Sequence, residues 1–365
     1  MSERRRDEAM RCLLVGLGGM GQGLIRFLQQ KPWFEPVGVV DVRQEALDAA
    51  QTALHLPDDA LFQDLPRALS ATAPDAAIIN TPSGLHCEQS RAALEAGAQV
   101  LVAKPVTREF GRAVELVRLA EARGLTLSVG QQIRYNRHYI AAARFVRSGA
   151  LGEPGAAWLL NSKPRPDVRN LVGETQPALL ETTIHHLDSL LAVFPGRVPE
   201  WVMCDGFRPE WSPYEGPCMV NLLVRFSGGL HVVVHSGFSA QAPMYEFRIE
   251  GTKGTLRCRG LHMSNDLMSY EFAAALGQFE AVAVNKDVPL VNPWVRFLDA
   301  WHDYAGGGER PVGGEAVEEP PFSGRNNLPV MAMVCAAIES IETGGPIELV
   351  DNPRYRAAFG AGFAE

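Results

Sequence analysis

Short apolar segments alternate with helically spaced ones over the first third of the chain. Each apolar segment has the length of a buried strand, and leucines and alanines recur between them at three- and four-residue intervals. This alternation predicts a doubly wound α/β domain with a parallel sheet covered on both faces. The predicted strands are 12–15, 37–40, 76–79, 100–102 and 125–129, and the predicted helices are 20–30, 44–54, 85–96 and 109–122.

The pattern changes after a predicted helix at 138–147, where longer alternating segments begin. Residues 219–226 and 230–235 flank Ser-Gly-Gly, and residues 245–250 and 255–259 flank Gly-Thr-Lys-Gly, so both pairs predict hairpins. We therefore expect an N-terminal domain at 1–132 and a C-terminal α+β domain at 133–365 with a large open, mainly antiparallel sheet. A last helix at about 326–342 can pack back on the first domain. The second face of the open sheet needs cover, which predicts a homodimer or homotetramer.

A glycine cluster separates the first strand from the first helix. Gly16, Gly18 and Gly21 match G-x-G-x-x-G, with Gly19 and Met20 inside the motif, and such a turn places a pyrophosphate at a helix N-terminus. Asp41 ends the second strand at the spacing of an acid that binds ribose hydroxyls, although it can also cap the next helix. We expect NAD as cofactor, and nearby Arg43 leaves NADP use open.

Composition narrows the classes of function. The formal charge is -8, from 34 basic and 42 acidic residues, which argues against a nucleic-acid partner. The six cysteines are widely spaced without a C-x-x-C pair, which indicates a reducing compartment rather than disulfides or a thiolate metal site. There is no apolar signal core and no segment of about 20 apolar residues, so we expect a cytoplasmic protein without a membrane partner.

Polar residues follow two further strands of the predicted parallel sheet. Asn80, Thr81 and Pro82 follow one strand, with His86 shortly after them, and Lys104 follows the next. Ligands bind at the carboxyl ends of such strands, so we assign these residues to the cofactor site. A lysine there is often only a solvated surface residue, but beside a nicotinamide it can polarise a substrate oxygen.

A third candidate site lies at 181–188, at the start of a predicted helix. Glu181, His185 and Asp188 fall on one helical face by their spacing. Such a histidine can be purely structural, can bind a metal, or can be an acid/base held by a carboxylate. We expect no metal, because there is no cysteine ligand and no second histidine on this face.

These motifs, taken in order, resemble those of the glucose-fructose oxidoreductase and inositol dehydrogenase family, known as Gfo/Idh/MocA, over nearly the whole chain. The motifs that carry the resemblance are Gly16–Gly21, Asn80–Pro82 with His86, Lys104–Pro105, Ser148–Glu153, His185 with Asp188, and Glu250–Leu256. The resemblance implies a Rossmann domain, a C-terminal sheet domain that commonly forms oligomers, and NAD(P)-linked oxidation or reduction of sugars and cyclitols.

Two positions depart from the family pattern. Ala103 stands where the family usually has the glutamate of Glu-Lys-Pro, and Glu181 stands where it usually has an aspartate. The first change removes a carboxylate beside the lysine, and the second lengthens the arm of the acid. Both affect the expected reaction more than the expected fold.

We therefore expect hydride transfer in which His185 accepts the proton of a secondary alcohol and Lys104 stabilises the developing alkoxide. Glu181 would orient His185 or contact a second hydroxyl. The candidates for substrate contact are Arg134, Tyr135, Arg165 and Asp188, although loop cations often only solvate a surface. Two alternatives stay open: glycoside cleavage with a recycled bound NAD, and a non-catalytic NAD- or sugar-sensing protein.

Overall fold

The computed structural model describes residues 9–168, 171–262, 268–284, 286–306 and 320–360. The chain forms two compact units. One consists of Met1–Gln131 with Trp294–Leu328, and the other of Gln132–Pro293 with Pro329–Glu365. The late segment that belongs to the first unit is thus Trp294–Leu328, whereas most of the helix expected at about 326–342 belongs to the second unit.

The first unit contains a six-stranded parallel sheet in the order β3-β2-β1-β4-β5-β6, which confirms the predicted doubly wound architecture. Its strands are β1 Met10–Val15, β2 Phe34–Val40, β3 Leu61–Phe62, β4 Ala76–Ile79, β5 Gln99–Ala103 and β6 Leu127–Gly130. Its crossover helices are α1 Gly19–Leu28, α2 Gln44–Leu54, α3 Leu65–Thr72, α4 His86–Glu95 and α5 Phe110–Ala122. The central strands β1 and β4 are almost entirely buried, as expected for a sheet covered on both faces.

The sequence prediction missed β3 and α3. The helix has a clear start signal, because the Asp64 side chain accepts a hydrogen bond from the Arg67 backbone N–H at 2.9 Å and a proline lies in its first turn. The strand contains only two residues, which is too short for a periodic pattern.

The edge strand β6 is covered by chain from much later in the sequence. The Val129 N–H donates to the Phe322 carbonyl at 2.9 Å, and Ser128 forms an isolated bridge with Ser323. A helix that the sequence prediction missed, α8 (Pro293–Ala305), precedes this segment, and its Trp301 packs edge-to-face on Trp33. Such cover removes an exposed sheet edge.

The second unit contains a nine-stranded sheet in the order β14-β13-β12-β11-β7-β10-β9-β8-β15, mainly antiparallel as predicted. Only β7 and β10 pair in parallel within the described sheet. The strands are β7 Pro154–Ser162, β8 Pro199–Phe207, β9 Met219–Phe226, β10 Leu230–Gly237, β11 Met244–Gly251, β12 Gly254–Gly260, β13 Ser269–Ala274, β14 Glu280–Ala281 and β15 Ile347–Glu348. The helices of this unit are α6 Arg137–Arg147, α7 Ile184–Val193 and most of α9 (Gly324–Thr343). The hairpins β9-β10 and β11-β12 were predicted from their turns, whereas β7, β8 and β13 were not predicted.

The two faces of the nine-stranded sheet differ in burial. One face carries fully buried side chains, such as Val232, Val224 and Phe247. The opposite face carries a row of side chains in register across five strands: Arg248, Trp158, Val233, Leu223 and Met203. Within this row Trp158 is 38% exposed and Met203 is 44% exposed. Four of these side chains, Trp158, Val233, Leu223 and Met203, therefore form an apolar row on this face, and Arg248 lies at its end.

Uncharged histidines lie in the core of the second unit. His138 and His186 are fully buried, and Tyr139 joins α6 to α7 through a hydrogen bond between its hydroxyl and His186 Nδ1 at 2.9 Å. Burial is the main cause that lowers the pKa of each histidine from 6.5 to about 3, with neighbouring histidines adding to the effect. Both side chains are therefore neutral in the folded protein at neutral pH.

This core makes the protein sensitive to acid. Below about pH 6.5 the unfolded chain takes up protons at these histidines while the folded chain does not, so stability falls as the pH falls toward 3. The expected slope is up to about 1.4 kcal/mol per pH unit for each histidine. Chemical denaturation at several pH values measures this slope. His186→Gln removes one of the two titrating groups and should lower the slope by up to about 1.4 kcal/mol per pH unit. The exposed His231→Gln is the control, and equal slopes in both variants would contradict the prediction.

None of the described helices is long and apolar enough to span a bilayer. The six cysteines all lie in described parts of the chain and are buried thiols.

Candidate active site

The glycine turn after β1 has the geometry of a dinucleotide-binding motif. Gly16 adopts φ +85°, and a Cβ on it would lie 2.7 Å from the backbone of Asn80 and Thr81. A Cβ on Gly21 would collide with the Gly16 carbonyl. A Cβ on Gly18, by contrast, would have no atom within 4 Å. Gly16 and Gly21 thus close the turn, while Gly18, which caps α1, leaves open space for a pyrophosphate at the helix N-terminus.

Asp41 lies directly after β2 and is tied to the same turn. Its carboxylate accepts hydrogen bonds from the Leu17 N–H at 2.7 Å and from the Arg43 N–H at 3.0 Å, and it also pairs with the Arg43 side chain. Burial by itself raises the pKa of Asp41, but the contacts with Arg43 and Leu17 outweigh burial and bring this pKa below its ordinary value. The alternative of a helix cap does not hold, because α2 begins at Gln44 after Arg43 without a side-chain cap.

The charge on Asp41 predicts a preference between the two nicotinamide cofactors. A carboxylate at this position would accept hydrogen bonds from ribose hydroxyls and would repel a 2′-phosphate, so we expect Asp41→Ser to weaken NAD binding and strengthen NADP binding. Loss of a hydrogen bond to a charged group, about 1.5–3 kcal/mol, corresponds to roughly 10- to 150-fold in NAD affinity. Titration of both cofactors into the variant measures the change, with Asp48→Ser on the exposed face of α2 as control. An unchanged ratio of the two affinities would contradict the role.

Two further polar segments reach the carboxyl edge of the parallel sheet. Asn80–Pro82 follows β4, and the Asn80 N–H donates to the Val15 carbonyl at 2.7 Å, which places the segment beside the glycine turn. Lys104 follows β5, which pairs with β4, and is half-buried. The structure therefore brings Gly16, Asp41, Asn80 and Lys104 to one edge of one sheet. Met20 is 52% exposed at the start of α1.

The segment around His185 begins differently from the regular helix that the sequence predicts. Residues Leu179–Thr183 form a π-helical turn before α7, and the Thr183 hydroxyl donates to the Ala178 carbonyl at 2.8 Å. The Asn161 side-chain amide at the end of β7 donates to the Thr182 hydroxyl at 3.3 Å and supports this turn. Single π turns are frequent at functional sites. Here the turn carries Glu181, and buried His185 follows it.

Arg134 and Asp188, both predicted as substrate contacts, bind each other. Arg134 Nε and one terminal nitrogen each donate to an Asp188 carboxylate oxygen at 2.7 Å, and that nitrogen also reaches the Asp188 carbonyl at 2.9 Å. Both side chains are buried. A buried bidentate pair of this kind fixes α7 to the segment after β6.

Glu181 and Asp188, which the sequence places on one helical face, pair with two different arginines. Arg165 donates to Glu181 Oε1 at 3.2 Å, and its guanidinium lies 5.2 Å from the centre of the Phe238 ring. Tyr135 is half-buried, and burial raises its pKa to about 12. Arg165 lies in a polar segment at 161–170 that begins as the end of β7, and residues 169 and 170 lie outside the described part of the chain. The apolar segment Trp158–Leu160 is the sequence signal that could have identified β7.

Among the described residues no cluster of three or more His, Cys, Asp or Glu side chains is arranged to hold a metal ion.

Two family models match consecutive parts of the chain. The model described as "Oxidoreductase family, NAD-binding Rossmann fold" matches residues 10–131, and the model of the "GFO/IDH/MocA C-terminal domain" matches residues 139–257. Together they span the parallel sheet and most of the antiparallel sheet.

Curated relatives match over the whole chain or over part of it. The protein y4oX of Sinorhizobium fredii is 26% identical over 93% of this chain and 95% of its own length. The scyllo-inositol 2-dehydrogenase (NADP(+)) IolW of Bacillus subtilis is 25% identical over 58% of this chain and 59% of its own length.

Solved structures show the same fold at lower identity. The aldose-aldose oxidoreductase of Caulobacter crescentus, complexed with glycerol, has a TM-score of 0.79 at 18% identity and covers 94% of this chain and 100% of its own. The WlbA dehydrogenase of Bordetella pertussis, in complex with NADH and UDP-GlcNAcA, has a TM-score of 0.76 at 21% identity and covers 94% and 99% of the two chains.

Proposed function

The chain belongs to the Gfo/Idh/MocA family of NAD-binding oxidoreductases, and from this premise we propose that it transfers hydride between NAD and a secondary alcohol of a sugar, cyclitol or related polyol. The observation that carries the proposal is the joint presence of a formed dinucleotide turn with Asp41 and, in the second unit, a buried histidine beside a π turn. Relatives named as an inositol dehydrogenase and an aldose oxidoreductase support the substrate class.

The residues of the first unit fit a dinucleotide. The open face of Gly18 at the start of α1 would receive the pyrophosphate, and the Asp41 carboxylate would accept hydrogen bonds from the adenosine ribose. Asn80, Thr81, Pro82 and Lys104 would line the edge toward the nicotinamide. When bound, NAD supplies a hydride acceptor, and the remaining chemistry is proton transfer and charge stabilisation by side chains.

His185 is the proposed base. It accepts the hydroxyl proton of the substrate as the carbon loses hydride, and Lys104 stabilises the negative charge that develops on the oxygen. Glu181 cannot be treated as an isolated carboxylate, because Arg165 pairs with it. We propose that this pair presents a charged, hydrogen-bonding edge to a second substrate hydroxyl.

Ala103 is one position near the proposed reaction where this chain departs from the family pattern, which usually has a glutamate there. Ala103 ends β5 directly before Lys104, so the strand provides no carboxylate next to the lysine. The Arg134–Asp188 pair has a positioning role, since its buried contacts hold the helix that carries His185.

One assay tests the proposed function and both alternatives. Purified protein is incubated with NAD or NADP and a panel of polyols, aldoses, inositols and glycosides, while NADH absorbance and substrate loss are followed in parallel. Formation of NADH with an equal loss of polyol supports the proposal. Substrate loss without NADH would instead indicate glycoside cleavage, and cofactor binding without any turnover would indicate a sensor.

We also propose that the chain forms a homodimer or homotetramer through the apolar row on the nine-stranded sheet. Trp158 and Met203 lie exposed in this row, and an exposed apolar surface of this kind favours a protein partner. Light scattering with size-exclusion chromatography measures the mass of the assembly. We expect Trp158→Glu to shift it toward the monomer and Glu210→Lys, an exposed change outside the sheet, to leave it unchanged. A monomeric wild-type protein would overturn the proposal.

A further inference from the structure

The ring of His86 lies between two segments that leave neighbouring strands of the parallel sheet. His86 begins α4 and is 1% exposed. Its Nδ1 is 2.7 Å from the Pro105 carbonyl oxygen, after β5, and its Nε2 is 2.8 Å from the Thr81 carbonyl oxygen, after β4. One ring therefore joins the segment that contains Lys104 to the segment that contains Asn80.

Both hydrogen bonds to carbonyl oxygens can form only if both nitrogens of the His86 ring carry a proton. A carbonyl oxygen only accepts hydrogen bonds, and a neutral imidazole has one N–H, whereas an imidazolium has two. In the neutral ring, which is 1% exposed, one nitrogen lone pair would face a carbonyl lone pair at hydrogen-bond distance. That contact is repulsive and leaves a buried acceptor unsatisfied.

We propose that His86 is a positioning residue whose imidazolium ring holds the Thr81 and Pro105 carbonyls together and so fixes Lys104 relative to Asn80–Pro82, and that loss of a ring proton releases one of the two segments. The coupling of this proton to NAD binding rests on the proposed function, whereas the two ring contacts do not depend on it.

The charges around the ring connect its proton to the cofactor. Burial is the main cause that lowers the pKa of His86, and Lys104 and Arg108, on the segment after β5, act in the same direction, while the two carbonyl contacts oppose them. An anion bound at this edge of the sheet offsets those cations and favours the imidazolium. The two negative charges of the NAD pyrophosphate outweigh the single positive charge of its oxidised nicotinamide ring, so NAD binding should be coupled to proton uptake at His86.

Reciprocity then gives a measurable dependence on pH. Between the pKa of His86 in the free protein and its higher pKa with NAD bound, NAD affinity should rise as the pH falls, by up to about tenfold per pH unit for one proton. Above this interval the affinity should be weak and independent of pH. Below it the affinity should be strong and again independent of pH.

Calorimetry of NAD binding in buffers of different ionisation enthalpy, between pH 5.5 and 8, measures the proton uptake. Wild-type protein should take up protons, and His86→Gln, which keeps one donor but cannot titrate, should lose this uptake and the pH dependence of the NAD affinity. His55→Gln, an exposed histidine of the same unit, should behave as wild type. Equal proton uptake in His86→Gln and wild type would overturn the proposal.

Two measurements leave His86 in place and do not depend on how its variant folds. Nitrogen-edited NMR of the histidine rings in the cofactor-free protein should show both His86 nitrogens carrying protons at the acid end of its titration. Arg108→Gln removes a cation near the ring and should move that titration to higher pH. A ring that never carries two protons, or a titration unmoved in Arg108→Gln, would overturn the proposal. Failure of wild-type protein to bind NAD would instead refute the proposed function.

Discussion

Replacing His185 by alanine is expected to lower turnover by roughly 10²- to 10⁴-fold, the usual contribution of a general base. The reason is that the buried imidazole is the proposed acceptor of the substrate hydroxyl proton. The dinucleotide turn lies elsewhere in the sequence, so NAD binding should be retained. Initial rates with the best substrate of the polyol panel measure the effect, and titration of NAD measures cofactor affinity separately.

The control for this prediction is His55→Asn, which changes an exposed histidine whose positive φ asparagine tolerates. It should keep full activity. If His185→Ala retained wild-type turnover, His185 would not be the base. If the variant lost NAD binding together with activity, the loss would report a structural role instead of proton transfer.

Removing one partner of the Arg134–Asp188 pair is expected to destabilise the fold by about 3–5 kcal/mol, because the remaining charge stays buried without its counter-charge. Asp188→Ala tests this by chemical denaturation. The double variant Arg134→Met with Asp188→Leu removes both charges and should recover most of the lost stability. A double variant as unstable as Asp188→Ala would show that the pair is not the source of the effect.

The surface pair Arg225–Glu200 provides the matched comparison. Its side chains are 39% and 37% exposed, against 6% and 1% for Arg134 and Asp188. Glu200→Gln should therefore cost about 1 kcal/mol or less. A loss in Asp188→Ala no larger than this would contradict the prediction.

Features that depend on local spacing were predictable from the sequence. The glycine turn, the four crossover helices of the alternating pattern and the two hairpins each follow from residues close together in the chain. The same holds for the placement of Asn80 and Lys104 at strand ends, because parallel strands bring their carboxyl ends to one edge. The family resemblance rested on these local motifs and was confirmed.

Features that depend on distant partners were not predictable. Helix α8 has helical spacing around Trp301, but its aromatic partners Trp33 and Phe322 lie outside the helix, and Trp33 is far earlier in the chain. The pairing of Glu181 with Arg165 and of Asp188 with Arg134 likewise depends on tertiary packing. Sequence spacing placed both acids on one face, because it assumed a regular helix where the chain forms a π turn.

The edge of β6, which Phe322 and Ser323 cover in the folded chain, stays uncovered during most of synthesis on the ribosome. The segment that covers this edge emerges only after eight of the nine strands of the second sheet, β7 to β14, have been synthesised. Until then the N-terminal unit has an open strand edge, which is a template for pairing with other chains. Chaperone dependence during synthesis should therefore be highest before residue 323 has left the exit tunnel. A chain cut before that residue should aggregate more readily than the 365-residue chain.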